Sequence, residues 1–442
     1  MACNTCIVPA YGRRDFLSFS MVGMGALAGS ALPALGQDYK GSTQTTPQTT
    51  PDTSKKDGTK AGKKCNTVIR IWLPGAPSQV ETFDPKPGRP NGGKAKAIDT
   101  AAKGLQISEY MPQTAKQMKN IALLRSMNFK ELAHERAALL AQIGMAQSPF
   151  SGVADMGTII AYERGPKDLQ LPYSIAMGAT LQPGQSLPFG GEYAPYRVLN
   201  ASNPIPDSTS PVGKDRDLLR TSLLTEQNKD WDSQRQQGPI GQIEKAYLKA
   251  QEVMTTPQVS AFNVGQEDAA IRQMFGTDGF SQNCLIAYRL AKVGVPFIAL
   301  QTGSWDMHDG CIPGMEKQVP SVDAGFGGLV GALAASGLLD TTLVMIGGEF
   351  GRTPAVNGGQ GRDHHEYGSW ALAGGGIRGG MAFGDSGVNG TSNKDQTTVG
   401  DVWHTIFSLC GIDPKKSYMV EGRRIPYAYK DVKGAAIRAI MA

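Results

Sequence analysis

Three short runs of β-branched and apolar residues set the frame of this chain: Thr67–Leu73, Pro296–Leu300 and Thr341–Gly347. The first breaks into Pro74-Gly75-Ala76-Pro77, which reads as a strand ending in a tight loop. Helical patterns over Cys284–Val293 and Phe326–Leu339 precede the other two. Strands that alternate with helices pair in parallel, because a parallel connection needs a crossover long enough to carry a helix. The expected class is α/β with a mainly parallel sheet. Further expected elements are a short strand at Ile121–Leu124 and helices at His134–Ile143 and 398–409.

Three polar clusters follow this frame closely. They are Gly303-Ser304-Trp305-Asp306-Met307-His308-Asp309, Gly348-Glu349-Phe350-Gly351-Arg352-Thr353-Pro354 and Gly361-Arg362-Asp363-His364-His365-Glu366. The strand Thr341–Gly347 delivers Glu349 at its C-terminal end, the edge of an open α/β sheet where ligands collect. Carboxylates and imidazoles in such loops suit a divalent metal: imidazole with carboxylate favours Zn, Mn or Fe, and an all-carboxylate set favours Mg or Ca. The expectation is a metal-dependent hydrolase.

Every one of the five histidines lies within three residues of an acid. His404 sits inside a helical pattern and reads as a structural histidine, whereas His134, beside Glu135, reads equally well as structural or as a ligand. In the loop after the first strand, Ser78 is either a nucleophile or, more simply, a turn-capping serine. Glu81 and Asp84 are further ligand candidates. Arg352 and Arg362 can clamp an oxyanion or form buried ion pairs. The run Gly374–Gly380 lacks the G-x-x-x-x-G-K-[ST] spacing and reads as a turn between strands. No G-x-G-x-x-G follows the first strand, so a nicotinamide or flavin enzyme is disfavoured.

Before Cys65 the chain is not fold-like. Arg13-Arg14-Asp15-Phe16-Leu17 and the Gly/Ala-rich run after it make residues 1–36 a twin-arginine signal, with cleavage expected before Gln37. Residues 37–64 are a Thr/Gln/Lys-rich tether. These two segments carry +1 and +3 of the net charge of +5, so the folded part has no charge bias towards nucleic acid. No transmembrane segment is expected in the mature chain, and the localisation is periplasmic or extracellular. Cys3 and Cys6 would leave with the signal. Cys65, Cys284, Cys311 and Cys410 permit a disulfide or two in an oxidising compartment, with no pairing readable from their spacing, and isolated buried thiols are the simpler reading. Residues 65–442 form one domain, in which about 180–265 reads as a loop and helix insertion.

The leader, the run Gly75-Ala-Pro-Ser78-Gln-Val-Glu81-Thr-Phe-Asp84-Pro-Lys86-Pro, and the W-D-x-H, G-E-F-G-R-T-P and G-R-D-H motifs together resemble the DUF1501 family of exported bacterial proteins. That family is similar to the alkaline phosphatase/sulfatase superfamily, and the match runs over roughly 66–412. The resemblance implies a three-layer, alkaline phosphatase-like sheet with helices on both faces. It implies one or two divalent metals on Asp306, His308, Glu349, Asp363 and His364, with Ser78 in the nucleophile's place and Arg352 beside it. The implied substrate is a small-molecule or polysaccharide phosphate or sulfate ester; the alternative is a binding or assembly protein that keeps the fold. Cys311-Ile312-Pro313-Gly314-Met315 lacks the arginine of a formylglycine motif, so sulfatase chemistry of that kind is not expected.

Overall fold

The computed structural model describes residues 65–147, 152–178, 188–198, 212–235, 239–391, 394–420 and 422–442. The expected signal (1–36) and tether (37–64) lie outside the described residues. Nine strands form the main sheet: β1 (Thr67–Trp72), β2 (Ile121–Asn128), β3 (Ser174–Met177), β4 (Tyr196–Val198), β5 (Phe297–Gln301), β6 (Thr342–Gly347), β7 (Tyr367–Ala373), β8 (Met381–Phe383) and β9 (Thr397–Thr398). Their order is β8-β2-β7-β6-β1-β5-β3-β4, with β9 also on the β8 side of β2. β1 runs parallel to both β5 and β6, in the register Ile69 to Ile298 and Ile69 to Val344. In this sheet β7 alone runs antiparallel, against β6 and β2, with a bulge between Gly368 and Trp370.

The side chains explain the parallel core. Alternate residues of a strand face opposite sides, and here both sides are apolar. Ile69, Ile71, Ile298, Leu300, Val344 and Ile346 pack on one face. That face is covered by the helices α3 (Gly279–Val293) and α4 (Cys311–Ala335), through side chains such as Leu285 and Leu329. Val68, Trp72, Phe297, Ala299, Leu343 and Met345 pack on the other. This second face lies under α1 (His134–Ile143), α2 (Met156–Arg164) and α5 (Val399–Cys410), through Ala137, Ile160 and Ile406. The result is a three-layer α/β sheet, and a strand buried on both faces reads as a continuous apolar run.

Local signals fix the helix ends. Asp278 caps α3 by accepting from Phe280 N and Ser281 N at 3.1 Å each, and Gly294 closes it in the left-handed region. Thr398 and Asp401 make a capping box at the start of α5. α4 differs from the sequence expectation: it begins at Cys311, runs through Pro320 and ends at Ala335, so the helical pattern over Phe326–Leu339 takes in only its C-terminal part and overruns its end. Within the segment read as a loop and helix insertion, Tyr196–Val198 joins the main sheet as its edge strand, and the helices run over Lys214–Arg235 and Pro239–Thr255. Among the described residues no helix is long and apolar enough to cross a membrane.

Candidate metal centre

The C-terminal ends of β1, β5 and β6 lie side by side, and their loops build one cluster. The β1 loop turns at Gly75 (φ +94°), where an added Cβ would stand 2.4 Å from Asp306 N. This close approach, with Trp305 N donating to Pro74 O (2.8 Å), sets the loop that carries Asp306. Glu349 leaves the end of β6, and its Oε1 accepts from Gly75 N at 2.7 Å. A two-residue antiparallel ladder pairs Gly351–Arg352 with His364–His365 and brings His364 in. His134 arrives from the other side as the first residue of α1.

Three imidazoles share one arrangement. His134 Nδ1 lies 2.7 Å from Glu349 Oε1, His308 Nδ1 2.7 Å from Asp363 Oδ1, and His364 Nδ1 2.9 Å from Leu132 O. Ionised carboxylates and a backbone carbonyl accept only, so each Nδ1 carries a proton, and each ring presents an Nε2 lone pair when it is neutral. All three Nε2 atoms then point at the same oxygen: Asp306 Oδ1 is 3.2 Å from His134, 3.1 Å from His308 and 3.5 Å from His364. His308 and His364 also face each other, Nε2 to Nε2, at 3.0 Å. Neutral rings converging on this oxygen call for a cation among them, a bound metal or a proton on one Nε2, beside the Arg352 guanidinium that lies 2.7 Å from the same Asp306 Oδ1.

One donor atom each from His134, Asp306 and His364 falls within 4.8 Å of the other two, the spacing a bound metal needs. Two buried atoms at the cluster, His134 Nε2 and Glu349 Oε2, have no hydrogen-bond partner. The 3.2 Å separation of His134 Nε2 from Asp306 is a close approach without hydrogen-bond geometry, which is how two ligands of one ion are placed. Two nitrogens and one oxygen fit an intermediate divalent cation.

The surrounding charges act on the members of the cluster in different directions. Burial alone would raise the Asp306 carboxyl, but the Arg352 hydrogen bond and the neighbouring His134, Arg352 and His308 charges hold it down at about 2. The hydrogen bond to Glu349 lifts His134 above its ordinary value against the pull of burial. Burial, then the nearby Arg352 and His134, lower His364, and the His308 hydrogen bond lowers Asp363.

The expected site residues take different places. Asp306, His308 and His364 meet. Glu349 and Asp363 reach the cluster through the histidines that they orient. Arg352 is fully buried: it donates from Nε to Ala76 O (2.9 Å), from Nη1 to Arg362 O (3.0 Å), and from Nη2 to Gly75 O (2.5 Å) and Asp306 Oδ1 (2.7 Å). Its guanidinium therefore holds Asp306 instead of facing an oxyanion. Arg362 is committed too, in a pair with Glu81 (Nη2–Oε1 2.6 Å and Nε–Oε2 3.0 Å), with both side chains fully buried. Ser78 is buried and its Oγ accepts from Val80 N at 3.2 Å. Among the described residues no hydrogen bond joins Ser78 to the cluster. His134 is the member that sequence reasoning left open; its place at the start of a helix, after a strand, was the available signal.

None of the curated proteins matches the chain. Several solved structures are similar to it in fold. The lipoteichoic acid synthase LtaP from Listeria monocytogenes shares 11% identity, with 84% of this chain and 76% of that one covered, at a TM-score of 0.40. The PsFucS1 sulfatase from Pseudoalteromonas sp. shares 14%, covering 79% and 68%, at 0.37. The alkaline phosphatase from the Antarctic bacterium TAB5 shares 13%, covering 79% and 99%, at 0.38. The family described as "Protein of unknown function (DUF1501)" matches residues 65–441, which takes in every strand and every residue of the cluster; the chain belongs to that family.

Proposed function

We propose that this chain is an exported, metal-dependent hydrolase of phosphate or sulfate esters, with a divalent cation held by His134, Asp306 and His364. The observation that carries the metal is the convergence of three Nδ1-anchored imidazoles on Asp306 Oδ1. The donor set favours Zn or Mn over Mg or Ca. Such a cation supplies Lewis-acid polarisation of an ester oxygen and a water of lowered pKa. Glu349 and the Leu132 carbonyl fix the rings that bind it. Arg352 holds the Asp306 carboxylate ionised. His308, backed by Asp363 and half-exposed, is placed to carry a proton at Nε2. With Ser78 held in its turn, attack by water replaces a covalent serine step. The ester class rests on the motif resemblance, and export rests on the twin-arginine pattern; the substrate is a small-molecule or polysaccharide ester.

Metal analysis of the purified protein, followed by a panel of aryl phosphates and sulfates, tests this reading. The expected result is one tightly held divalent ion, turnover lost in Asp306→Ala and retained in Ser78→Ala. Protein that takes up no divalent ion overturns the proposal. The full commitment of Arg352 and Arg362 to protein acceptors favours a second reading, a binding or assembly protein with a structural metal. Stoichiometric metal without turnover on any ester selects it.

A further inference from the structure

Four cysteines lie in the described residues, all buried and all free thiols. Cys284 lies on α3 against Gly325, and Cys311 heads α4. Burial pushes Cys284 up and Cys311 up to about 12, which keeps both as inert thiols. Cys65 and Cys410 differ. Cys65 directly precedes β1, Cys410 ends α5, and both are fully buried in the core on the same face of the sheet. The backbone ties the two together, with Cys65 N donating to Leu409 O at 3.1 Å. Cys65 Sγ donates to Thr67 O at 3.2 Å, and the backbone bond to Leu409 sets it beside the residue next in the chain, Cys410.

We propose that Cys65 and Cys410 are a preformed cross-linking pair that thiol–disulfide exchange closes into a disulfide, pinning the start of β1 to the end of α5. The proposal is independent of the metal centre and of its chemistry.

Reactivity is divided between the two sulfurs in the way exchange needs. The hydrogen bond from Cys410, opposed by burial and helped by the Leu343 and Thr67 backbone and the Arg164 charge, lowers the Cys65 thiol; the same hydrogen bond and burial raise Cys410. Of the two, Cys65 is therefore the better nucleophile once it has lost its proton. A dissolved disulfide such as oxidised glutathione supplies the electron acceptor. The Cys65 Sγ bond to one glutathione sulfur forms as the reagent's S–S bond breaks, and one glutathione thiolate leaves. Cys410 then gives up its proton and attacks Cys65 Sγ, and the second glutathione leaves. The pair loses two protons and two electrons, and the reagent gains them. Access needs only local opening, because two backbone bonds hold the segment ahead of β1, Cys65 N to Leu409 O and Asn66 N to Thr341 O.

The test uses the full chain in oxidised glutathione, followed by denaturation, alkylation of free thiols and peptide mapping without reduction. The expected map shows a Cys65–Cys410 linked peptide, with Cys284 and Cys311 alkylated. Cys410→Ser should stop at a glutathione adduct on Cys65, and the wild type should gain thermal stability on oxidation that Cys410→Ser lacks. The proposal is overturned if Cys65 and Cys410 are both alkylated at saturating oxidant. Either one linked to Cys3, Cys6, Cys284 or Cys311 instead would overturn it as well.

Discussion

The Glu349 carboxylate lies 2.7 Å behind His134, on the Nδ1 side of the ring, while its second oxygen is buried without a hydrogen-bond partner. An acid at a strand end thus acts through a histidine that is 215 residues away in sequence. Removing it frees the tautomer and the tilt of His134 and leaves the three donors in place. Glu349→Ala is therefore expected to weaken metal binding by roughly 10–100-fold, the usual cost of losing such an orienting partner. His134→Ala, which removes a donor, should weaken it further. Competition with a chromogenic chelator ranks the two; equal affinities in wild type and Glu349→Ala would remove the orienting role.

A tighter geometric constraint operates at Gly75. Its positive φ and the 2.4 Å that a Cβ would leave to Asp306 N mean that Gly75→Ala must strain the loop or displace Asp306. Strain of this kind costs roughly 1–3 kcal/mol. The substitution also disturbs Gly75 N, which donates to Glu349, and the Gly75 carbonyl, which Arg352 binds. Expected together are a lower midpoint in urea and weaker metal binding. An unchanged metal affinity in a destabilised variant would show that the Asp306 loop is positioned by other contacts.

How much of this was written in the sequence divides along physical lines. The strands ending at Trp72, Gln301 and Gly347 were readable because burial on both faces leaves uninterrupted apolar runs with little competing signal. The loops after them, with Asp306 and Glu349, followed directly. Pairing over long separations was not readable. Nothing local to His134 marks it as a partner of Glu349, and nothing local to Glu349 or Asp363 shows that each faces Nδ1 instead of the cluster centre. Arg352 and Arg362 gave the right residue type for an oxyanion clamp, but only the three-dimensional acceptors around them show that the guanidinium groups are already occupied. The start of α4 was not readable, because Pro313 and Pro320 interrupt the local helical signal. Pro313 lies in the first turn, where a missing N–H costs little, and the helix accommodates Pro320.

The Glu81–Arg362 pair is expected to be the costliest polar contact to break. Both side chains are fully buried, and Arg362 N also donates to Met307 O (3.1 Å) beside the Asp306 loop. Glu81→Ala leaves an uncompensated buried guanidinium, a loss of about 3–5 kcal/mol. Replacing both partners by apolar residues of similar volume, Glu81→Leu with Arg362→Met, should recover much of that loss, because the desolvated charge is then gone. Chemical denaturation of the single and double variants measures the coupling. A double variant no more stable than Glu81→Ala would assign the loss to packing instead of charge.

Acid sensitivity is expected to show at Glu267, far along the chain from the cluster. This buried carboxylate accepts from Arg289 Nη1 (2.6 Å) and Lys292 Nζ (3.3 Å) on α3. Burial opposes its ionisation, but the Asp268 backbone, Lys292 and Arg289 outweigh that and hold its pKa below the ordinary 4.5. A carboxyl whose folded pKa is depressed binds fewer protons folded than unfolded. Its contribution to stability is thus present above about 4.5, the unfolded value, and is lost as the pH falls through the lower folded value. Glu267→Gln should therefore be less stable than the wild type at neutral pH, and the gap should narrow below pH 4.5. Urea midpoints of both proteins across that range provide the check; a gap that stays constant with pH would show that the destabilisation comes from lost hydrogen bonds and not from charge.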